Sequence, residues 1–128
     1  MAITCKDNVF TLKTKNSAYQ MKADRGFLFH TYYGPSVGDT DMSYLGRTID
    51  RGFSGNPEGI DDRGFSLDTQ LLEYPGYGTG DYRDYCLRVV YPDGSQVTNL
   101  KYIDHEILEG KYALEGLPAM YQGEEKAE

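Results

Sequence analysis

An all-β, antiparallel architecture is what this sequence predicts, and three observations carry it. Tyrosine and phenylalanine, both at home in strands, number 12 and 5, with no tryptophan at all. Fifteen glycines supply turns. Stretches of polar–apolar alternation stop at turn-forming residues, and no stretch holds a helical period. The expected form is a partial antiparallel β-sandwich with a long irregular loop region.

The first strand expected is Asn8 to Lys15, where Val9, Phe10 and Leu12 are interleaved with Thr11, Lys13 and Lys15. Asn16-Ser17 makes a tight connection. Ala18 to Ala23 alternates next, with Tyr19 and Met21 opposed to Gln20 and Lys22. Asp24-Arg25-Gly26 reads as a turn, and Phe27 to Tyr33 follows as a third strand, aromatic on both faces and so expected to be buried on both. Short connections make these three a meander. From Pro35 to Gly80 no period persists, and nine glycines from Gly38 to Gly80 point to left-handed backbone positions instead of regular elements. Short strands are expected there only at Met42 to Leu45 and Phe65 to Leu72. Alternation returns at Asp84 to Tyr91, and Pro92-Asp93-Gly94 is a strong hairpin signal. Ser95 to Leu108 is the expected return arm, bulged near Asn99. Residues 1–121 form one sandwich domain in this reading, and residues 122–128 an acidic tail.

Composition excludes several classes. The formal net charge is −7, from 20 acidic and 13 basic side chains, with no basic stripe, which argues against nucleic acid. No run of 18 apolar residues crosses a membrane. Lys6, Asp7 and Asn8 interrupt the N-terminal stretch where a secretory leader needs an apolar run, so a cytoplasmic location is expected. Cys5 and Cys86 are expected as free thiols. His30 and His105 stand alone, no metal-ligand spacing occurs, and neither metal nor cofactor is expected.

One pentapeptide occurs twice: Asp50-Arg51-Gly52-Phe53-Ser54 and Asp62-Arg63-Gly64-Phe65-Ser66. Such a loop presents a carboxylate, a guanidinium and a ring together, a set suited to a polyhydroxylated ligand. It lies within an ordered series: Asp41-Met42-Ser43-Tyr44-Leu45, then Asn56-Pro57, Leu67-Asp68-Thr69, Glu73-Tyr74-Pro75 and Gly80-Asp81-Tyr82-Arg83. Asp93-Gly94-Ser95, His105-Glu106-Ile107, Gly110-Lys111 and Gly116-Leu117-Pro118-Ala119 continue it. With Tyr32-Tyr33-Gly34, the series resembles the N-terminal β-sandwich (supersandwich-like) domain of family 36 α-galactosidases over nearly the whole chain. Gly55 departs from the pattern, since members often carry proline there.

The resemblance implies a parent enzyme that hydrolyses terminal α-galactosyl residues, as in melibiose and raffinose-type oligosaccharides, with retention. Its two catalytic aspartates belong to a following (β/α)₈ barrel of about 250 residues, which this chain does not contain. Retaining hydrolysis needs two carboxyl groups roughly 5 Å apart, and no acidic pair here matches them by motif. The chain by itself is therefore expected to be inactive, with no catalytic residue of its own.

By the same resemblance Asp50 reaches a galactose pocket in a neighbouring subunit's barrel. Arg51 would orient it or donate to the sugar, and Phe53 would cover an apolar sugar face. Homo-oligomerisation is implied. The competing reading pairs Asp50 with Arg51, or caps the loop's own backbone with it. Asp62 and Arg63 are expected to hold the loop, and Tyr77, Asp81 and Arg83 to buttress it. Tyr74 to Gly78 lacks the lysine and the strand-to-helix context of a phosphate cradle. The two histidines read as hydrogen-bonded core or edge residues. An autonomous carbohydrate-binding module is the alternative function, distinguished by saturable binding of galactose or raffinose to the isolated chain.

Overall fold

The computed structural model describes residues 2–50, 56–108, 110 and 113–118. Its regular structure is one antiparallel sheet in the order β1-β2-β3-β4: β1 Ala2–Lys6, β2 Val9–Lys13, β3 Ser17–Asp24 and β4 Phe27–Pro35. The expected three-stranded meander is there, within two residues at each boundary. The all-β antiparallel class holds.

β1 was not anticipated. Asp7 and Asn8 connect it to β2 with φ of 51° and 61°. Both residue types tolerate the left-handed region, and two successive positive φ values match the twist of paired strands. Arg25 and Gly26 repeat the device between β3 and β4, at 52° and 80°. The polar residues that interrupt the N-terminal stretch thus make a hairpin turn.

Strand alternation gives the sheet two faces. One carries Thr11, Gln20, Lys22, Phe27 and Phe29, and the segments Asp39 to Ser43 and Ile60 to Leu67 fold over it. Phe65 and Leu67 reach back to pack with Phe27 and Phe29, and Ile60 and Leu72 close the cluster. Phe65 meets Phe29 edge-on at 5.8 Å between centroids, and Arg25 lies 4.7 Å over its ring. The opposite face carries Phe10, Tyr19, Met21, His30 and Tyr33. It is covered at one end by Tyr102 and His105, whose rings lie 6.3 and 4.6 Å from Phe10. Tyr33 is 71% exposed, so β4 is not buried on both faces as its aromatic run suggested.

Gln20 is the polar pin of the loop-covered face, fully buried at 0% exposure. Its Nε2 donates to Thr11 Oγ1 at 3.0 Å and Thr40 O at 2.8 Å, and its Oε1 accepts from Met42 N at 3.1 Å. One side chain thereby fastens the loop's entry to the sheet. Gln20→Met, close in volume, should cost about 2 kcal/mol, because the Met42 N–H and Thr40 C=O lose their partner. Urea unfolding measures it, and a change under about 0.5 kcal/mol would show that the loop does not depend on this bond.

Beyond Pro35 the expected strands do not form ladders among the described residues. Ser43–Leu45 is a single 3₁₀ turn. Leu71 and Glu73 bond to His30 and Leu28, with Leu72 opposite Phe29, a fragment of a fifth strand against β4. The turn at Pro92-Asp93-Gly94 is present: Tyr91 N donates to Ser95 O at 2.9 Å, and Gly94 has φ of 82°. Its arms nevertheless separate, because Pro75 to Gly78 inserts between them. Cys86 N donates to Pro75 O on one side, and Thr98 N to Tyr77 O on the other. The hydrogen bonds that would join Asp84–Tyr91 to Ser95–Leu108 go to the intruder instead. Among the described residues no helix is long and apolar enough to cross a membrane.

Candidate functional site

The two pentapeptides meet in space. Asp50, from the first, lies 3.4 Å from Nε of Arg63, from the second, and both side chains are mostly exposed. Arg51 and Phe53 lie outside the described residues, as does the 122–128 tail.

The second copy is divided between structure and surface. Asp62 Oδ1 accepts from Gly64 N at 2.9 Å, closing a local turn, and Oδ2 pairs with Arg25 Nη1 at 2.8 Å. The Arg25 hydrogen bond, then the Gly64 N–H, hold its carboxyl below the usual range. Phe65 turns inward to the core, Ser66 is buried, and its hydroxyl donates to Asp68. Arg63 turns outward to Asp50. Asp62 is structural as expected, whereas Arg63 contributes to the exposed pair.

Asp81 and Arg83 hold the floor from below. Burial pushes the Asp81 carboxyl up, but the Arg83 side-chain and backbone hydrogen bonds outweigh it and leave the carboxyl below its ordinary value. Arg83 Nε and Nη2 grip both carboxylate oxygens at 2.9 Å, and Nη2 also donates to Leu67 O and Gln70 O at 2.9 and 2.6 Å. A bidentate, charge-assisted pair that also ties two carbonyls makes a rigid strut. The buttress expected of these residues is in place.

A cavity of about 400 Å³ opens over β4, lined by Phe29, Thr31, Leu45, Arg47, Thr48 and Gln70 among others. It lies within the range of small-ligand sites. Thr48 also lies against Gly64 of the second copy, where an added Cβ would sit 3.6 Å from Thr48 Cβ. Thr31 is the bulged residue of β4, left without a partner where Gln20 faces Tyr32 and Met21 faces His30. Its buried hydroxyl has no hydrogen-bond partner among the described residues.

The histidines are positioned by neighbours. His30 Nδ1 lies 3.3 Å from Glu73 Oε1, and the Tyr19 hydroxyl donates to the same carboxylate. Burial and then the Glu73 bond push the Tyr19 hydroxyl up to about 12. His105 Nδ1 and the Tyr102 hydroxyl share a 2.7 Å hydrogen bond. Neither histidine faces a nucleophile among the described contacts. No group of three metal-ligating side chains occurs among the described residues. The exposed features of this region are a carboxylate, a guanidinium and a cavity.

Comparison with known proteins identifies the family. The family described as the glycosyl hydrolase family 36 N-terminal domain matches residues 26–128. The bifunctional α-galactosidase/sucrose kinase AgaSK of Mediterraneibacter gnavus is 43% identical across 100% of this chain and 14% of its own length. The solved galactosidase domain of AgaSK superposes with a TM-score of 0.84, covering 92% of this chain and 17% of that one. The α-galactosidase AgaA of Geobacillus stearothermophilus is 44% identical over 93% of this chain and 16% of its own. A variant of AgaA solved with raffinose superposes with a TM-score of 0.77, at 43% identity over 90% of this chain and 16% of that one. The chain thus spans about one sixth of the proteins it resembles. It belongs to the N-terminal domain family of the family 36 glycosyl hydrolases.

Proposed function

We propose that this chain is the non-catalytic N-terminal sandwich piece of a cytoplasmic α-galactosidase acting on melibiose and raffinose-type oligosaccharides. It supports homo-oligomer assembly, and its Asp50 loop lines the sugar pocket of a neighbouring subunit's barrel. The observation that carries this reading is the outward-facing Asp50–Arg63 pair, held 3.4 Å apart in solvent on a braced loop. A carboxylate accepts two sugar hydroxyls, and the guanidinium beside it donates to a third, each bond charge-assisted. Arg51 and Phe53 would add a further donor and an apolar cover. The raffinose bound to a relative of 43% identity supports the substrate class. Two free cysteines, one half-buried and one exposed, suit a reducing compartment.

Asp50→Ala in the intact enzyme should lower kcat/KM on melibiose and raffinose by about 10- to 100-fold, the range of lost charged hydrogen bonds, with Tm unchanged. Unchanged kinetics would remove the substrate contact. An equal loss of Tm would make Asp50 a structural residue instead.

A further inference from the structure

The two pentapeptides are identical in sequence, and the second is anchored at several points. Phe65 N donates to Asp62 O at 2.9 Å, and Gly64 N to Asp62 Oδ1 at 2.9 Å, so residues 62–65 form a closed turn. One guanidinium grips both ends of it. Arg25 Nη1 lies 2.8 Å from Asp62 Oδ2, and its Cζ sits 4.7 Å over the Phe65 ring. That ring is packed in turn on Phe27 and Phe29. Arg63 therefore projects from backbone that is fixed on either side.

The approach to the first copy leans on the second. Thr48 lies against Gly64, and the Arg47 carbonyl accepts from Gln70 Nε2 at 3.4 Å. Asp50, two residues on from Thr48, brings its Oδ1 to 3.4 Å from Arg63 Nε. An aspartate side chain has several staggered rotamers, and a cation projecting from a fixed turn favours those that face it.

We infer that Arg63 is a positioning residue: it sets the orientation in which Asp50 is offered to sugar hydroxyls. The inference rests on the pocket reading above and deepens it, giving the second copy of the repeat a role in binding by the first. Without Arg63 the aspartate still reaches the sugar, but its side chain must be ordered at the moment of binding, which weakens affinity. That cost falls equally on ground state and transition state, so KM rises while kcat holds. The role is separable from the hydroxyl bond proposed for the same guanidinium, because only positioning requires Asp50.

A double-variant cycle in the intact enzyme, read as kcat and KM on melibiose and raffinose, tests it. Arg63→Ala should raise KM about 3- to 10-fold with kcat unchanged. Tm should hold, because Asp62 and Phe65 keep their own anchors. Arg63→Lys, which keeps a cation beside Asp50, should bring KM back to within about twofold of the parent. In an Asp50→Ala background, most of the increase caused by Arg63→Ala should vanish. An undiminished increase in that background, a parental KM in Arg63→Ala, a lysine variant as impaired as the alanine one, or a fall in Tm overturns the positioning role and leaves the pocket reading standing. Asp50→Ala with parental kinetics overturns both.

Discussion

Phe65→Ala should lower the unfolding free energy by about 4 kcal/mol, in the range for a buried phenylalanine truncated to alanine. Phe65 is 4% exposed and touches both buried phenylalanines of β4, at 6.0 Å from Phe27 and 5.8 Å from Phe29. Its removal costs the transfer energy of the ring and leaves a void that two aromatic neighbours on a hydrogen-bonded strand cannot collapse to fill. The loop fails with it, because Phe65 and Leu67 are the anchors that fix the second pentapeptide to the sheet. Arg63 then loses its place beside Asp50. Denaturant unfolding gives the stability, and Tyr82→Ala, at 89% exposure, is the control expected within about 0.5 kcal/mol of the parent. A cost for Phe65→Ala near that of Tyr82→Ala would show that the loop is not pinned by this core.

Gly76→Ala should cost about 3 kcal/mol, at the upper end of overpacking penalties. A Cβ there would sit 2.3 Å from the Thr98 carbonyl oxygen. The obstacle is backbone, so rotamer changes give no relief. The wedge would be pushed out of its seat, along with the bonds from Cys86 N to Pro75 O and from Thr98 N to Tyr77 O. Gly59→Ala is the comparison: that glycine has φ of 78° but open space around its Cβ position. Only the conformational term acts there, about 1 kcal/mol. Equal costs at the two positions would mean that the wedge is not tightly held.

The meander from β2 to β4 was legible because each hairpin carries its own instructions. The alternation sets which side chains share a face, and Asp24-Arg25-Gly26 fixes the reversal. β1 was written in the same code, in Asp7-Asn8, but two strand-forming residues flanked by lysine and a polar turn looked like an interruption. Asp84–Tyr91 and Ser95–Leu108 were over-read. Their alternation and the Pro-Asp-Gly turn describe a hairpin, and the turn does form. Nothing local reveals that Gly76, eleven residues before Leu87, lies beside it and separates the arms.

The site divides the same way. The repeated pentapeptide drew attention to Asp50, and its exposure suits that reading. The contrast between Arg63 and Phe65, neighbours but for one glycine, was not visible in two identical motifs. Arg63 faces solvent and Phe65 the core because the second copy sits over Phe27 and Phe29.

By itself the sequence determined the β class, the three-strand meander and the motif that places the chain in its family. These rest on contacts between residues a few positions apart, where turn geometry and side-chain periodicity leave little choice. Only the tertiary structure decided that Asp50 pairs with Arg63, that Pro75 to Gly78 splits a hairpin, and that β1 joins the meander as a fourth strand. Each of those depends on distant segments competing for the same hydrogen bonds and the same apolar surface, and that competition is settled by packing in three dimensions.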